Sequence, residues 1–356
     1  MSDTLTRENV LQACEDFQDP ETGRSLVKME QVKDVLIDGN KVNVTVGLTT
    51  FAAPLWDEIT AQLTEHLKSR LPQAAEVTVD RVIEERPPAK QGQLGVQVKS
   101  VIAVGSGKGG VGKSTIATLL AFGLSRAGAK VGMIDADVYG PSVPHMLGSS
   151  GRPTMHDGKI QPVVVDGVPV MSMGFLVPED EAVIWRGPML HGAIQQFLGD
   201  TNWGELDYLV VDMPPGTGDV AISLSQLIPV SGAVVVCTPQ EVALLDAVKA
   251  VAMFRKVNIE LFGMVENMSH FICPECNARH EIFGTGGAKA KAEQLGVPFL
   301  GEVPLNVNMR VAGDAGKVVS CFDDEACRPY LDNLVKNLVR TITSQRKQKP
   351  PMPSLE

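Results

Sequence analysis

Short, continuous runs of apolar residues recur along the C-terminal part of the chain. They occupy residues 101–104, 131–134, 208–211 and 233–236. Runs of this kind are typical of parallel strands that are buried on both faces. Helical periodicity separates several of them, at 114–127 and 244–256. The alternation predicts an α/β fold with a doubly wound, mainly parallel sheet, in which ligands bind at the carboxyl ends of the strands.

The N-terminal part of the chain follows a different pattern. Helical periodicity at 5–17 and 55–71 brackets two alternating segments, 32–37 and 41–46, and a last short strand is predicted at 77–79. Residues 1–83 are therefore predicted to form a small α+β domain. The polar segment that follows is rich in Pro and Gly and is predicted to be a linker. The predicted limits are 84–98 for the linker, 99–345 for the large domain and 346–356 for a flexible tail.

Charge and composition exclude several classes of protein. The 356 residues carry 32 basic and 42 acidic side chains, a net charge of −10, and only 5% are aromatic. A general nucleic-acid partner is not expected, because there is no basic excess to displace phosphate counterions. No apolar run approaches the roughly 20 residues of a membrane span, and no signal peptide is evident. We therefore expect a cytoplasmic protein without a membrane partner, whose six cysteines do not form a disulfide scaffold.

The strongest chemical signal is the sequence Gly-Lys-Gly-Gly-Val-Gly-Lys-Ser at residues 107–114. It matches the phosphate-binding P-loop and lies between a predicted strand and a predicted helix, the context that such a loop requires. Glycines let successive backbone N–H groups converge on phosphate oxygens. We expect Lys113 to reach the β- and γ-phosphates of ATP and Ser114 to ligate Mg²⁺. The predicted nucleotide contacts are Gly107, Lys108, Gly109, Gly110, Val111, Gly112, Lys113, Ser114 and Thr115.

Acidic residues follow two of the predicted strands. Asp135 and Asp137 come after 131–134, and Asp212 comes after 208–211. A carboxylate at the end of a neighbouring strand can hold Mg²⁺, usually through its waters. Asp212 is the preferred candidate, whereas Asp135 could equally cap a turn. Two glycines after Asp212, at 216 and 218, would let that segment move around the γ-phosphate.

A Cys-x-x-Cys pair, Cys273 and Cys276, follows the predicted strand at 262–265. Two thiolates at this spacing can face one metal centre, but zinc and iron–sulfur clusters usually take four protein ligands. The other two could come from the same pair of a symmetric partner, from His270 and His280, or from the distant Cys321 and Cys327. The spacing alone also allows an inert or redox-active pair, and it does not choose between these alternatives.

The second lysine of the loop, Lys108, resembles that of the deviant Walker A motif of SIMIBI-class ATPases. With the segments Asp-Ala-Asp-Val-Tyr-Gly-Pro-Ser at 135–142 and Glu-Asn-Met-Ser at 266–269, followed by the cysteine pair, the chain resembles the Mrp/ApbC/Nbp35 family of iron–sulfur cluster carriers. The resemblance implies a homodimer that holds a labile [4Fe–4S] cluster between two cysteine pairs, ligated by Cys273 and Cys276. It also implies transfer of the cluster to apoproteins, modulated by ATP.

The same resemblance assigns roles to individual residues. Lys108 would contact the nucleotide of the partner, and Asp137 would orient the attacking water. Asp135 would support the Mg²⁺ shell, and Asn267 would read the edge of the adenine. Residues after Val303 and Pro304 would close over the base.

The N-terminal domain resembles the MIP18-like domain of bacterial members, on Asp-Pro-Glu at 19–21 and the segment 48–54. That pattern often places cysteine before the proline, and this chain has Ala53. A thiolate role there is therefore lost, and a docking role for targets or assembly factors is expected.

The sequence thus predicts an ATP-hydrolysing iron–sulfur cluster carrier. A positioning ATPase of the Par/Min class and a zinc-stabilised ATPase scaffold are the rivals. An apolar stripe at helical spacing, from Leu331 to Ile342, could lie on a membrane surface as in Min-type ATPases, but it is more typical of a helix that packs on its own sheet.

Overall fold

The computed structural model describes residues 5–138, 140–175, 187–216, 219–276 and 278–348. The chain forms two compact units. The first contains Met1–Arg86 and Val339–Glu356, and the second contains Pro87–Leu338. The boundary falls inside the predicted linker.

The first unit is an α+β arrangement, as predicted. Its elements are α1 (Arg7–Glu15), β1 (Val32–Asp38), β2 (Lys41–Leu48), α2 (Trp56–Arg70) and β3 (Glu76–Ile83). Strand β2 lies in the middle, antiparallel to β1 and parallel to β3. Helix α2 has acidic residues in its first turn and basic residues in its last turn. These charges interact favourably with the helix dipole and stabilise the helix.

A buried polar network lies where the predicted MIP18-like motif begins. Asp19 accepts hydrogen bonds from the backbone N–H groups of Glu21 and Thr22, and Glu21 accepts one from the Thr49 hydroxyl. The Arg86 guanidinium lies 3.4 Å from Asp19 and 3.3 Å from Glu21. The two carboxylates are buried and Arg86 is 22% exposed, so loss of the guanidinium would leave two buried negative charges without this cation.

The second unit contains one large sheet with its covering helices and a separate two-stranded sheet at residues 154–161. Its strands are β4 (Lys90–Gln91), β5 (Val96–Gly105), β6 (Val131–Asp135), β7 (Thr154–His156), β8 (Lys159–Gln161), β9 (Val163–Val165), β10 (Val168–Ser172), β11 (Leu206–Asp212), β12 (Gly232–Cys237), β13 (Leu261–Ile272), β14 (Arg279–His280) and β15 (Phe299–Leu305). Its helices are α3 (Lys113–Arg126), α4 (Val143–Met146), α5 (Gly187–Gly199), α6 (Asp219–Leu227), α7 (Glu241–Lys256), α8 (Gly287–Leu295), α9 (Val307–Asp314) and α10 (Arg328–Gln348), the last of which continues into the first unit.

The order of the large sheet is β14-β13-β12-β5-β11-β6-β10-β9, and β15 pairs with β13. The strands from β13 to β10 are parallel, which confirms the predicted doubly wound α/β fold. Strand β5 lies in the centre with β11 on one side and β12 on the other. The carboxyl ends of β5, β6 and β11 therefore meet at one edge, where the chemistry was predicted.

Three features differ from the sequence prediction. The apolar run at 262–265 is only the start of β13, which continues to Ile272. Two short antiparallel pairs, β7 with β8 and β9 with β10, were not predicted. The C-terminal helix runs to Gln348, beyond the predicted limit at 345, and the rest of the predicted tail lies outside the described residues.

The apolar stripe of α10 is buried, which confirms packing within the protein rather than on a membrane surface. Its members are Leu331, Leu334, Val335, Leu338, Val339 and Ile342. A Cβ atom at Gly123 of α3 would lie 2.6 Å from Val335 and 2.7 Å from Phe322, so glycine allows α10 to approach α3 closely. Among the described residues, no helix is both long enough and apolar enough to cross a membrane.

Candidate functional site

The predicted P-loop connects β5 to α3 at the centre of the sheet. Gly112 precedes the first residue of α3 and has a φ of +78°, a left-handed conformation that favours glycine. A Cβ atom at Gly107 would lie 2.0 Å from the carbonyl oxygen of Asp246 in α7, so only glycine fits there. The loop is therefore shaped by its glycines, with exposed backbone at Gly109 and Gly110.

Two carboxylates from distant parts of the sequence and the adjacent Ser114 meet at the Lys113 side chain. Its ammonium lies 2.6 Å from Oδ1 of Asp212 and 3.5 Å from Oδ2 of Asp137. It also lies 3.1 Å from the hydroxyl of Ser114. Lys113 is 6% exposed, so these charges interact in a poorly solvated environment in which electrostatic forces are strong.

Asp212 fits a Mg²⁺ site. It is fully buried at the end of β11, and its second oxygen, Oδ2, has no hydrogen-bond partner among the described residues. Burial raises the pKa of Asp212, and the Lys113 ammonium opposes that rise. An unpartnered buried carboxylate oxygen beside the Ser114 hydroxyl is a donor set that suits a hard cation.

Asp135 is placed differently. Its Oδ1 accepts the backbone N–H of Asp137, and its Oδ2 accepts the hydroxyl of Ser172 and the N–H of Val143. Burial and the neighbouring Asp212 charge raise the pKa of Asp135 to about 8. Both oxygens are occupied, so the geometry favours the capping role, in which Asp135 shapes the segment between β6 and α4.

A cavity of about 300 Å³ opens beside the start of α3. Gly112, Thr115, Asn267 and Pro304 line it together with residues of α4 and α9. The side-chain amide of Asn267 donates to the carbonyl of Val111 in the P-loop at 2.9 Å. The structure thus brings the predicted adenine-reading residue and the predicted base-covering segment to one cavity next to the phosphate loop.

Two other predicted elements lie around the loop. The carbonyl of half-buried Lys108 accepts a hydrogen bond from the Ser106 hydroxyl. The N–H of Gly216 donates to the carbonyl of Ser106, which joins the segment after β11 to the P-loop. Gly218 and Tyr139 of the predicted motifs lie outside the described residues.

The cysteine pair occupies the turn between β13 and β14, a hairpin that extends the sheet. Phe271 and Ile272 pair antiparallel with His280 and Arg279. Cys273 is half-buried and Cys276 is exposed. Hydrogen bonds from the backbone N–H groups of Cys276 and Glu275 lower the pKa of the Cys273 thiol, which favours the thiolate that binds metals.

The described residues do not form the local zinc site in which His270 and His280 would join the two cysteines. His270 is 1% exposed and is held by the Ser269 hydroxyl at Nδ1 and the Tyr330 hydroxyl at Nε2, whereas His280 lies on the surface. Across the residues that the structure describes, no three His, Cys, Asp or Glu side chains are grouped so that they could hold a metal ion.

The remaining cysteines are core residues. Burial raises the pKa of Cys321 to about 11 and that of Cys327 to about 12. Cys237, at the end of a run of valines, and Cys14, in the first helix, are also buried, as predicted.

Comparison with known families decides the class of this protein. Residues 97–339 match the model of the NUBPL iron-transfer P-loop NTPases, and residues 7–80 match a family described as iron–sulfur cluster assembly protein. The chain belongs to the NUBPL-type P-loop NTPases. The resemblance inferred from the P-loop and the cysteine motif is therefore confirmed, as is the nucleotide-binding class.

Relatives of this NTPase support the assignment along the whole chain. It is 46% identical to an iron–sulfur cluster carrier protein of Synechocystis over 95% of this chain and 98% of the relative. It is 48% identical to one from Deinococcus radiodurans, with 86% and 87% covered.

Solved structures agree on the fold. A nucleotide-binding protein from Archaeoglobus fulgidus, determined in complex with ADP, is 40% identical and superposes with a TM-score of 0.56, over 62% of this chain and 88% of that chain. The cell division ATPase MinD of Pyrococcus furiosus is 20% identical, with a TM-score of 0.50 over 67% and 97%, and shows the shared fold alone.

Some residues of the NTPase site were not found by sequence reasoning. Ser172 bonds Asp135 from a neighbouring strand, and Tyr330 bonds His270 from the distant α10. Glu266 is completely buried, and its carboxylate accepts the N–H groups of Gly286 and Ala288 at the start of α8. Only the polarity of Glu266 inside an apolar strand could have signalled such a role.

Proposed function

We propose that this NTPase is an ATP-dependent iron–sulfur cluster carrier that binds a [4Fe–4S] cluster between two copies of the chain and transfers it to apoproteins. The observation that carries the proposal is the exposed Cys273–Cys276 hairpin on a nucleotide-binding core. The relatives named as iron–sulfur cluster carriers support it. A positioning ATPase would leave this hairpin without a role, so the carrier is the better interpretation.

The nucleotide half of the function rests on Lys113, Ser114 and Asp212. We expect the Lys113 ammonium to move from the carboxylates to the β- and γ-phosphates of ATP, where it neutralises charge that develops during hydrolysis. The Ser114 hydroxyl and Oδ2 of Asp212 would hold Mg²⁺, which would supply electrostatic stabilisation of the phosphates. Asp137 also lies close to the Lys113 ammonium, and we propose that it orients the attacking water. Asp135 is proposed to support this Mg²⁺ site indirectly, because it positions the segment between β6 and α4 that carries Asp137.

The cluster half rests on symmetry. Each chain offers two thiolates at the tip of a hairpin, and a cluster of this type takes four. A two-fold axis beside the hairpins would supply the second pair. Cys276 is exposed, as a site shared between two chains and open to an acceptor requires. Lys108 would contact the nucleotide of the partner in the same dimer.

The first experiment is chemical analysis of anaerobically prepared protein together with its mass in solution. We expect iron and sulfide in equal amounts, four of each per dimer, and little zinc. One zinc per chain without iron would support the scaffold alternative instead. Iron-loaded protein that stays monomeric would contradict the shared cluster.

An exposed apolar surface beside the P-loop is the proposed contact between the two copies. Val242 and Leu245 at the start of α7 are 68% and 57% exposed, and the next residue, Asp246, touches Gly107 of the loop. Ile282, just after the cysteine hairpin, is 55% exposed. Large apolar side chains exposed near both the nucleotide loop and the hairpin are typical of an interaction site.

Leu245→Glu is therefore expected to weaken the dimer by about 100-fold, because a carboxylate buried without a partner in an apolar contact costs about 3 kcal/mol. Sedimentation velocity of the ATP-bound and cluster-loaded forms measures the effect. Val164→Glu is the matched control, since Val164 is 63% exposed on the short strand β9 at the opposite end of the sheet. Equal behaviour of the two variants would contradict this surface.

A further inference from the structure

One strand, β13, connects the nucleotide cavity to the cysteine hairpin. Residues of β13 reach the nucleotide cavity at Asn267 and Met268, and the strand then continues to Ile272, directly before Cys273. Asn267 is bonded to the P-loop through the Val111 carbonyl. Only five residues therefore separate the P-loop contact from the first proposed cluster ligand.

Between these two points the strand is irregular. Asn267 pairs with Val303 of β15, and the next pair is Phe271 with Leu305. Three residues, Met268 to His270, thus lie opposite the single residue Pro304. Proline has no N–H group and cannot donate to a neighbouring strand, so this position tolerates a bulge.

Met268 has an unusual backbone conformation. Its φ is +56°, in the left-handed region that an unbranched residue with a Cβ atom rarely adopts. Its side chain lines the nucleotide cavity together with Pro304. A strained residue whose side chain faces a ligand cavity points to a functional constraint at this position.

The other end of the bulge is fixed by a buried polar network. The Ser269 hydroxyl donates to the carbonyl of Val303 at 3.3 Å and lies 2.9 Å from Nδ1 of His270. Nε2 of His270 lies 3.2 Å from the Tyr330 hydroxyl of α10. All three contacts are satisfied when Nδ1 carries the proton and Tyr330 donates to Nε2. The bulge therefore has one end at the nucleotide cavity and one end anchored to a helix.

We propose that the bulge at Met268–His270 is the element through which nucleotide binding repositions the cysteine hairpin. The inference rests on the proposed function and assigns its regulation to this segment. Met268 is the positioning residue that senses the nucleoside, and the His270–Tyr330 contact is the anchor against which the hairpin moves. A contact at the cavity that shifts Asn267 or Met268 changes the direction in which β13 leaves the bulge, and so changes the placement of Cys273.

Hydrogen exchange of the full chain tests this without a cluster. Addition of ATP and Mg²⁺ to the wild-type protein is expected to change exchange of the amides at 269–276 by at least about threefold, an effect of local opening. In Met268→Gly, glycine adopts the left-handed conformation without strain and removes the side chain from the cavity. With ATP raised to saturation for each protein, as shown by full protection of the P-loop amides, the change at the hairpin is then expected to disappear in the variant. An equal change at the hairpin in both proteins overturns the proposal, and so does a wild-type hairpin that does not respond.

A second measurement uses the cluster-loaded dimer and a ferrous chelator. The rate of iron release with ATP divided by the rate without it is expected to differ from one in the wild type and to approach one in Met268→Gly and in Tyr330→Phe. Phenylalanine keeps the ring that packs on His270 and removes only the hydroxyl. Ratios in both variants that match the wild type overturn the inference. Failure of the wild type to load a cluster contradicts the carrier function and leaves the exchange test to decide on the bulge.

Discussion

A chain in which alanine replaces Cys273 is expected to bind ATP normally and to hold no iron–sulfur cluster after anaerobic reconstitution. The dimer would retain one thiolate per chain, half of the ligands that a [4Fe–4S] cluster needs. Cys276→Ala is expected to have the same effect. Iron and sulfide content, together with the visible charge-transfer absorption of thiolate-bound iron, measures the loss, and nucleotide binding shows that the fold is intact.

The hairpin offers its own control for this experiment. Glu275 lies between the two cysteines, is exposed, and supplies Cys273 only with its backbone N–H. Glu275→Ala removes a side chain from the same turn and preserves that hydrogen bond, so it is expected to load as much iron as the wild type. A cysteine variant that retains a full cluster would show that the ligands lie elsewhere in the chain.

The extension of β13 to the cysteine hairpin could not be predicted from the sequence. The apolar run at 262–265 ends at Glu266, and the next four residues include Asn267, Ser269 and His270, which a buried strand rarely contains. They are accommodated because each has a specific partner: α8 for Glu266, the P-loop for Asn267 and Tyr330 for His270. These partners lie far away in sequence, so periodicity could not predict that β13 reaches the cysteines.

The P-loop, by contrast, could be predicted almost completely, because its signal is local. Strand, glycines, lysine and helix follow each other within about 30 residues. The acidic residues were found by the same logic of strand ends, but their individual roles depend on distant contacts. The Ser172 hydroxyl on β10 donates to Oδ2 of Asp135, whereas Oδ2 of Asp212 accepts no hydrogen bond from the described part of the chain. Only the pairing of β10 with β6 reveals that difference.

Lys113→Met is expected to reduce ATP hydrolysis by at least about 100-fold, because the variant loses the cation aimed at charge that develops on the phosphates. Methionine retains the length of the side chain, so the packing at the start of α3 is preserved. The loss also removes the cation that lies between Asp212 and Asp137, and the remaining carboxylates repel the phosphates of ATP. ATP affinity, measured by calorimetry in Mg²⁺, is therefore expected to fall together with the rate.

Lys108→Met is the matched comparison, since it removes the other lysine of the same loop. No contact that the structure describes joins the Lys108 side chain to the buried carboxylates. Its proposed role is to reach the nucleotide of the partner. This variant is expected to bind ATP as tightly as the wild type and to lose only the hydrolysis that increases with protein concentration. If both lysine variants lost ATP affinity equally, Lys108 would act within its own subunit, and hydrolysis would not require the dimer.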